Sequence, residues 1–250
     1  MASQRTSAHG QIEERSKRER RADRILDAAA ELMLRWGYNK TTIDDIARLA
    51  GVAKGTIYLH WKTREDLFLA LMRREYVRLV EDIQQRIASD PEGGTLHGIT
   101  KHSMLATMKS PLMKAVLLRD TDLLGEWMRK EFASVSYSEQ IAQSLALVER
   151  FRSLGVVRDD IDVRKLVYML DAITTGFLVI EQYMPDDFKY SDEEVVEMTA
   201  EAVKRTFAPS PASAPEPDEQ TKQEIANALI SSFDTILALR SRIDQEEATS

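Results

Sequence analysis

The stretch Thr41-Thr42-Ile43-Asp44-Asp45-Ile46-Ala47-Arg48-Leu49-Ala50-Gly51-Val52-Ala53-Lys54-Gly55-Thr56-Ile57-Tyr58-Leu59-His60-Trp61-Lys62 holds two short helical patterns separated by a glycine. In the first, Ile43, Ile46, Ala47 and Ala50 share one face and Thr41 or Thr42 can cap the start. Asp44 and Asp45 lie in its first turn, where negative charge suits the helix dipole. Gly51 stops this helix. The second pattern, Ala53 to Trp61, turns Ile57 and Trp61 to one side and leaves Lys54, Thr56, Tyr58 and His60 for the others. Two short helices joined by a tight glycine turn make a helix-turn-helix.

Upstream, Ile25, Ala28, Ala29, Leu32, Met33 and Trp36 recur at three- and four-residue intervals, so a helix is expected from Lys17 to Trp36 with Gly37 as its stop. Residues 1 to 14 lack periodicity and read as a flexible tail. Downstream, Phe68, Met72, Tyr76, Leu79, Val80, Ile83 and Ile87 form one stripe, a helix from about 63 to 89 long enough to serve two domains. After the breaker Asp90-Pro91-Glu92-Gly93-Gly94, helices are expected at 95 to 109, 111 to 131 and 137 to 154. Asp162 caps a further helix reaching Met184, and Ser191 with Glu194 makes a capping box for one reaching Phe207. No strand-like alternation competes. Four of the 7 prolines fall between Ala208 and Pro217, an extended linker, and a final amphipathic helix carries Ile225, Leu229, Phe233, Ile236, Leu237 and Ile243.

The fold class is therefore all-α. Residues 15 to 62 are expected to form a three-helix helix-turn-helix module, 63 to 207 a larger helical domain, 208 to 217 a linker and 218 to 250 an appended helix that docks on the second domain. Charge is segregated in the same way: the first 62 residues hold 12 Lys/Arg against 8 Asp/Glu, within a chain of net charge -7. Only a surface that faces phosphate has need of positive charge. With no cysteine, disulfides and thiolate chemistry are excluded and a reducing compartment is permitted. The N-terminus lacks an apolar signal segment, and no stretch is long and apolar enough to cross a bilayer, so a cytoplasmic protein is expected.

The run from Arg24 to Ala29, Trp36-Gly37-Tyr38, Thr41 to Ala47, Ala50-Gly51-Val52-Ala53-Lys54-Gly55-Thr56-Ile57-Tyr58 and the sequel Trp61-Lys62 together resemble the TetR family of transcriptional regulators. The resemblance covers about a fifth of the chain. It implies a homodimer on a palindromic, double-stranded operator, with Thr42, Tyr58, His60 and Lys62 as phosphate clamps and Lys54, Gly55, Thr56 and Leu59 toward the bases. Trp61 stands where the family usually has Phe. The physical reading agrees: Gly55 keeps the start of the recognition helix slim, Lys54 reaches a guanine edge or phosphate, and Thr56 meets a thymine methyl or phosphate. Taken singly, Tyr58 could equally be a half-buried core aromatic and His60 a surface histidine. Arg15, Lys17, Arg18, Arg20, Arg21 and Arg24 form a basic arm, read either as a DNA contact or as a solvated helix start.

The C-terminal body is rich in Met and aromatic residues, which suit an adaptable apolar pocket, and Met104, Met108, Trp127 and Phe177 are the candidates for a small apolar ligand. The dimer face is expected on helices 162 to 184 and 191 to 207, using Leu166, Leu170, Ile173, Phe177, Ile180, Val195, Met198 and Val203. No phosphate-binding loop, dinucleotide fingerprint, nucleophile elbow or His-Glu metal helix is present, and neither an enzyme nor a cofactor is expected. His97 and His102 are five apart, a poor spacing for a metal pair. The sequence thus reads as a repressor released by an apolar ligand; control by a protein partner or a corepressor is the alternative.

Overall fold

The computed structural model describes residues 2–126, 137–209, 218–225, 227–229 and 231. The described residues are helical with no strand, and they divide into two compact units. The first unit is Met1–Glu75 together with Asp120–Glu126; the second takes Tyr76–Arg119 and the described residues after 136.

In the first unit, α1 is Ala2–Trp36, continuing upstream of Lys17 into a segment without apolar periodicity. Its buried stripe is Ile25, Ala28, Ala29, Leu32 and Met33. Gly37 terminates it at φ 76, a conformation that costs glycine least, with its N–H donating to Met33 O at 2.8 Å. Helix α2, Ile43–Ala50, is capped by Thr42, whose hydroxyl accepts from Asp45 N at 3.2 Å. Thr41 is instead buried and donates to Gly37 O at 2.9 Å, so the two threonines divide capping from loop closure. Helix α3, Lys54–Tyr58, is shorter than the pattern to Trp61 suggests. Its last turn continues through His60 N and Trp61 N, which both donate to Ile57 O. Thr63 and Asp66 then cap each other reciprocally at 3.0 Å to start α4, Arg64–Ser89. Leu67, Phe68, Leu71 and Met72 of α4 are fully buried, as are Ile25, Met33, Ile46 and Ile57, and these residues form the core of the unit. Arg74 ties α4 to α1 through Asp27 Oδ1 at 2.8 Å and Asp23 O at 3.1 Å.

Residues 120–126 belong to this unit although they follow α6 in the chain. A Cβ on Gly37 would lie 2.6 Å from Asp122 O, and one on Gly125 would lie 2.8 Å from Asn39 Oδ1. The single helix expected over 111 to 131 is therefore broken: α6, Pro111–Leu118, ends at Arg119 in the left-handed region at φ 53, and helical residues 121–126 run against the loop after α1.

In the second unit, the rest of α4 meets α5, Leu96–Met108; α7, Tyr137–Ser153; α8, Val163–Ile180; and α9, Asp192–Phe207. Thr95 caps α5, Asp162 caps α8, and the Ser191/Glu194 capping box opens α9 in both directions. One core joins Ile83, Ile87, Leu96, Ile99, Phe151, Leu166, Val203 and Phe207. Ile225 and Leu229, from the helical residues after the proline-rich segment, are buried in that same core, and Arg150 pairs with Glu224 at 2.8 Å. Leu166 and Val203 are 1% and 0% exposed and Val195 is also buried, so three of the residues assigned to a dimer face serve the protomer itself. Tyr168, Ile180 and Met198 are the large apolar side chains exposed on α8 and α9. No helix among the described residues is long and apolar enough to cross a membrane.

Candidate nucleic-acid interface

The α2–α3 pair presents an outer face that the fold itself does not use. Ile57 holds α3 down at 0% exposure, whereas Leu59 is 75% and Tyr58 44% exposed. An exposed leucine beside an exposed tyrosine on a helix of five residues contributes nothing to the core. A Cβ built on Gly55 meets no atom within 4 Å, and its backbone is not in the left-handed region. Neither packing nor conformation demands glycine there.

Lys54, Thr42 and Lys62 are all exposed. Lys54 Nζ lies 2.8 Å from Asp44 Oδ2, and this hydrogen bond and the aspartate charge raise its pKa, so the ammonium is secure. Thr42 donates to Asp45 Oδ2 at 2.6 Å, and Arg48 pairs with Asp45 Oδ1 at 2.9 Å. Thr56, in the middle of α3, and His60, two residues past its end, are half-buried. The His60 ring lies 5.2 Å from that of Trp61, itself half-buried. Partial burial, then the charges of Arg18 and Arg21, lower the His60 pKa. The eight residues therefore lie on one contiguous turn-and-helix segment, with Thr42 at the start of α2 and Lys62 just before α4.

Arg64 belongs with them and escaped the sequence reading. Its Nε donates to Thr41 O at 3.1 Å, a terminal nitrogen donates to Tyr38 O, and its guanidinium lies 3.8 Å from the Tyr38 ring centroid. It fixes the loop that delivers Thr42 to the start of α2. The Tyr38 hydroxyl is pushed up to about 12, chiefly by burial, against the lowering effect of Arg64 and with Glu65 raising it further. The only sequence signal for Arg64 is a cation directly after the capping Thr63.

In the second unit, Met104 is buried, and Met108 and Phe177 pack with it against Leu178, Val196, Leu105 and Leu118. Three of the four ligand candidates thus share one cluster; Trp127 lies outside the described residues. His97 is bonded to Glu197 at 2.8 Å and His102 to Asp90 at 2.8 Å, which gives each histidine a carboxylate partner. Among the described residues there is no group of three metal-ligating side chains.

A capped scaffold helix, a glycine turn and a short, exposed, basic recognition helix define a helix-turn-helix DNA-binding head. Residues 25–71 match the family described as bacterial regulatory proteins, tetR family. The fatty acid metabolism regulator protein of Bacillus subtilis is 38% identical over 63 residues, 25% of this chain and 32% of that protein, so this match spans about a third of the relative's length. The HTH-type transcriptional repressor AcnR of Corynebacterium diphtheriae is 25% identical over 158 residues, 63% of this chain and 79% of its own. The SmeT–triclosan complex shares the fold with a TM-score of 0.58 at 19% identity, over 78% of this chain and 95% of SmeT. Over residues 25–71 the chain thus matches the N-terminal module of the tetR family, and it is similar to DNA-binding transcriptional regulators.

Proposed function

We propose that the chain is a repressor that binds a palindromic operator as a homodimer and releases it when a small apolar ligand enters the second unit. The observation that supports the DNA contact is Gly55, which has empty space beside it and an ordinary backbone, so that a close approach by DNA would explain the glycine. Thr42, Tyr58, His60 and Lys62 would hold phosphates, and Lys54, Thr56 and Leu59 would face base edges. Lys54 exchanges Asp44 for DNA in doing so.

Dimerisation follows from the small footprint of one recognition helix, since two such helices read a palindrome. The free side of α8, with Tyr168, Ala172, Gly176 and Ile180 at four-residue spacing, and Met198 of α9 would meet the second copy. Repression rests on likeness to AcnR. Ligand control rests on the Met104–Met108–Phe177 cluster and on SmeT, whose structure holds triclosan. Two stretches of chain would carry the signal. Helix α4 contributes to both units, with the division after Glu75, and residues 120–126 leave the second unit's sequence to join the first. A hundredfold release requires the ligand to favour the non-binding conformation by about 2.7 kcal/mol, and operator DNA must weaken ligand binding by the same factor.

Selection of bound duplexes from a random pool, with sedimentation of the selected complex, tests the proposal. It predicts an enriched inverted repeat occupied by protein in multiples of two chains. An unenriched pool, or a monomer on an asymmetric site, would contradict it.

A further inference from the structure

The two ends of α4 lie in different cores. Leu67, Phe68, Leu71 and Met72 are buried in the first unit, whereas Ile83 and Ile87 belong to the main core of the second. That second core also takes in the fully buried Ile225, with Leu229, from the appended helix. Among the described residues, the candidate ligand cluster around Met104, Met108 and Phe177 includes no side chain of α4. The appended helix thus shares a core with α4, and the ligand cluster does not. Gly94 shows how close the appended helix comes. A Cβ on it would lie 2.5 Å from Lys222 Cβ and 2.7 Å from Lys222 Cα, and its backbone is not left-handed, so the approach of Lys222 is what excludes a side chain. The turn that carries Gly94 is itself fastened to α4 and α5. A Cβ on Gly93 would collide with Ile87 O, while Asp90 accepts from Glu92 N at 2.9 Å and bonds His102 Nε2 at 2.8 Å. From α7, Arg150 pairs with Glu224 at 2.8 Å, and Asp218 Oδ1 caps the appended helix by accepting from Thr221 N at 2.8 Å. Apolar seat, glycine turn and ion pair together hold the appended helix to the C-terminal end of α4.

We propose that the appended helix is a second control element of the DNA-binding head, acting through α4 from a seat separate from the ligand cluster. Docked, it fixes the C-terminal end of α4 and with it the spacing of the two heads of a dimer. Released, it frees that end and weakens the grip on a paired operator. The inference rests on the homodimer and operator reading above, and the appended helix lies outside the 25–71 segment matched by the family. Each head keeps its own grip in either state, because the core of Ile25, Met33, Ile46, Ile57 and Phe68 belongs to the first unit alone. Two heads on one inverted repeat must be held at one separation. Freedom at the end of α4 would be lost on such binding, and that loss opposes it, whereas a single half site asks for no fixed spacing.

The test uses the full chain with two labelled duplexes, one carrying the selected inverted repeat and one carrying a single half of it, and follows hydrogen exchange of α4 in parallel. Gly94→Val forces Lys222 off its seat and should speed exchange at residues 83–89 by about tenfold or more. It should weaken the inverted repeat by roughly tenfold, an ordinary size for coupling between sites, and the half site by less than about twofold. Arg150→Glu changes an exposed group and leaves the core intact. It should weaken the inverted repeat by about two- to threefold, and Glu224→Arg added to it should restore the wild-type affinity. Either single variant with unchanged affinity for the inverted repeat would overturn the proposal, as would equal losses on the two duplexes or a reversed pair that does not recover. If Gly94→Val does not fold, the charge-reversal pair decides alone. Wild-type protein that selects no inverted repeat refutes the operator reading itself, a failure distinct from these.

Discussion

Replacing the half-buried Arg64 by alanine should destabilise the first unit more than substitution of any of its exposed residues. The side chain makes two charge-assisted hydrogen bonds to main-chain carbonyls, Thr41 O at 3.1 Å and Tyr38 O, and sits 3.8 Å over the Tyr38 ring. Truncation removes both bonds and the stacking contact. Each bond to a charged donor is worth about 1.5 to 3 kcal/mol and a cation–π contact about 0.5 to 1. Because the group is only half-buried, the smaller values apply and the summed loss is about 2 to 4 kcal/mol. Arg64→Lys keeps the charge but neither the planar fork nor the stack, and should recover less than half of that. Urea unfolding at 25 °C, followed by far-UV circular dichroism, measures both. An Arg64→Ala protein within about 0.5 kcal/mol of wild type would refute the role given to this strut. The same cluster fixes an alkaline signature. Tyr38 is held up to about 12 in the folded chain against 10.0 in the unfolded one, so its contribution is complete below pH 10 and is lost as pH rises from 10 to 12. Tyr38→Phe should remove that part of the alkaline destabilisation.

Three further outcomes follow from single positions. Gly55→Ala should leave thermal stability unchanged or slightly raised, since alanine favours helix by up to about 1 kcal/mol, yet should weaken operator binding; equal operator affinity by anisotropy would show that nothing approaches Gly55 closely. Asp44→Asn releases Lys54 from its 2.8 Å partner and should tighten DNA binding severalfold at low salt, and weaker binding would show that Asp44 positions the lysine instead of competing for it. Ile225→Ala deletes a fully buried side chain of the second unit and should cost about 2 to 4 kcal/mol in chemical denaturation; a loss under 1 kcal/mol would separate the appended helix from that core.

The helices were legible because their signals are local. Thr42, Asp162 and the Ser191/Glu194 box cap where the sequence places caps, and Gly37, Gly51 and Gly155 take the positive φ that ends a helix. The break at Arg119 was not legible. Leu117, Leu118, Leu123 and Leu124 keep a helical rhythm through it, which hides the cap at Asp120, whose carboxylate accepts from Asp122 N and Leu123 N at 3.0 Å. Residues 120–126 also fit against Gly37 and Asn39, more than 80 residues away in sequence. Arg64 was invisible because its partners are main-chain oxygens of a distant loop, which carry no sequence identity. Periodicity also marks Leu166, Val195 and Val203 as apolar without saying which apolar surface they meet, and the protomer's own core claims them. On the reading face, by contrast, the informative residues are those that break the rule of burial. Leu59 and Tyr58 are exposed although apolar, and Gly55 sits in a helix that has room for a larger residue.

The central claim is that the Lys54–Lys62 face reads DNA, with different residues reading sequence and holding backbone. It is tested most directly by measuring the affinity of wild type, Lys54→Ala and Lys62→Ala for the selected operator and for a random duplex at one salt concentration. The account predicts that Lys62→Ala weakens both duplexes by the same factor, while Lys54→Ala lowers the operator-to-random ratio by roughly 5- to 150-fold. An unchanged ratio for Lys54→Ala, with operator and random DNA losing equally, would contradict it.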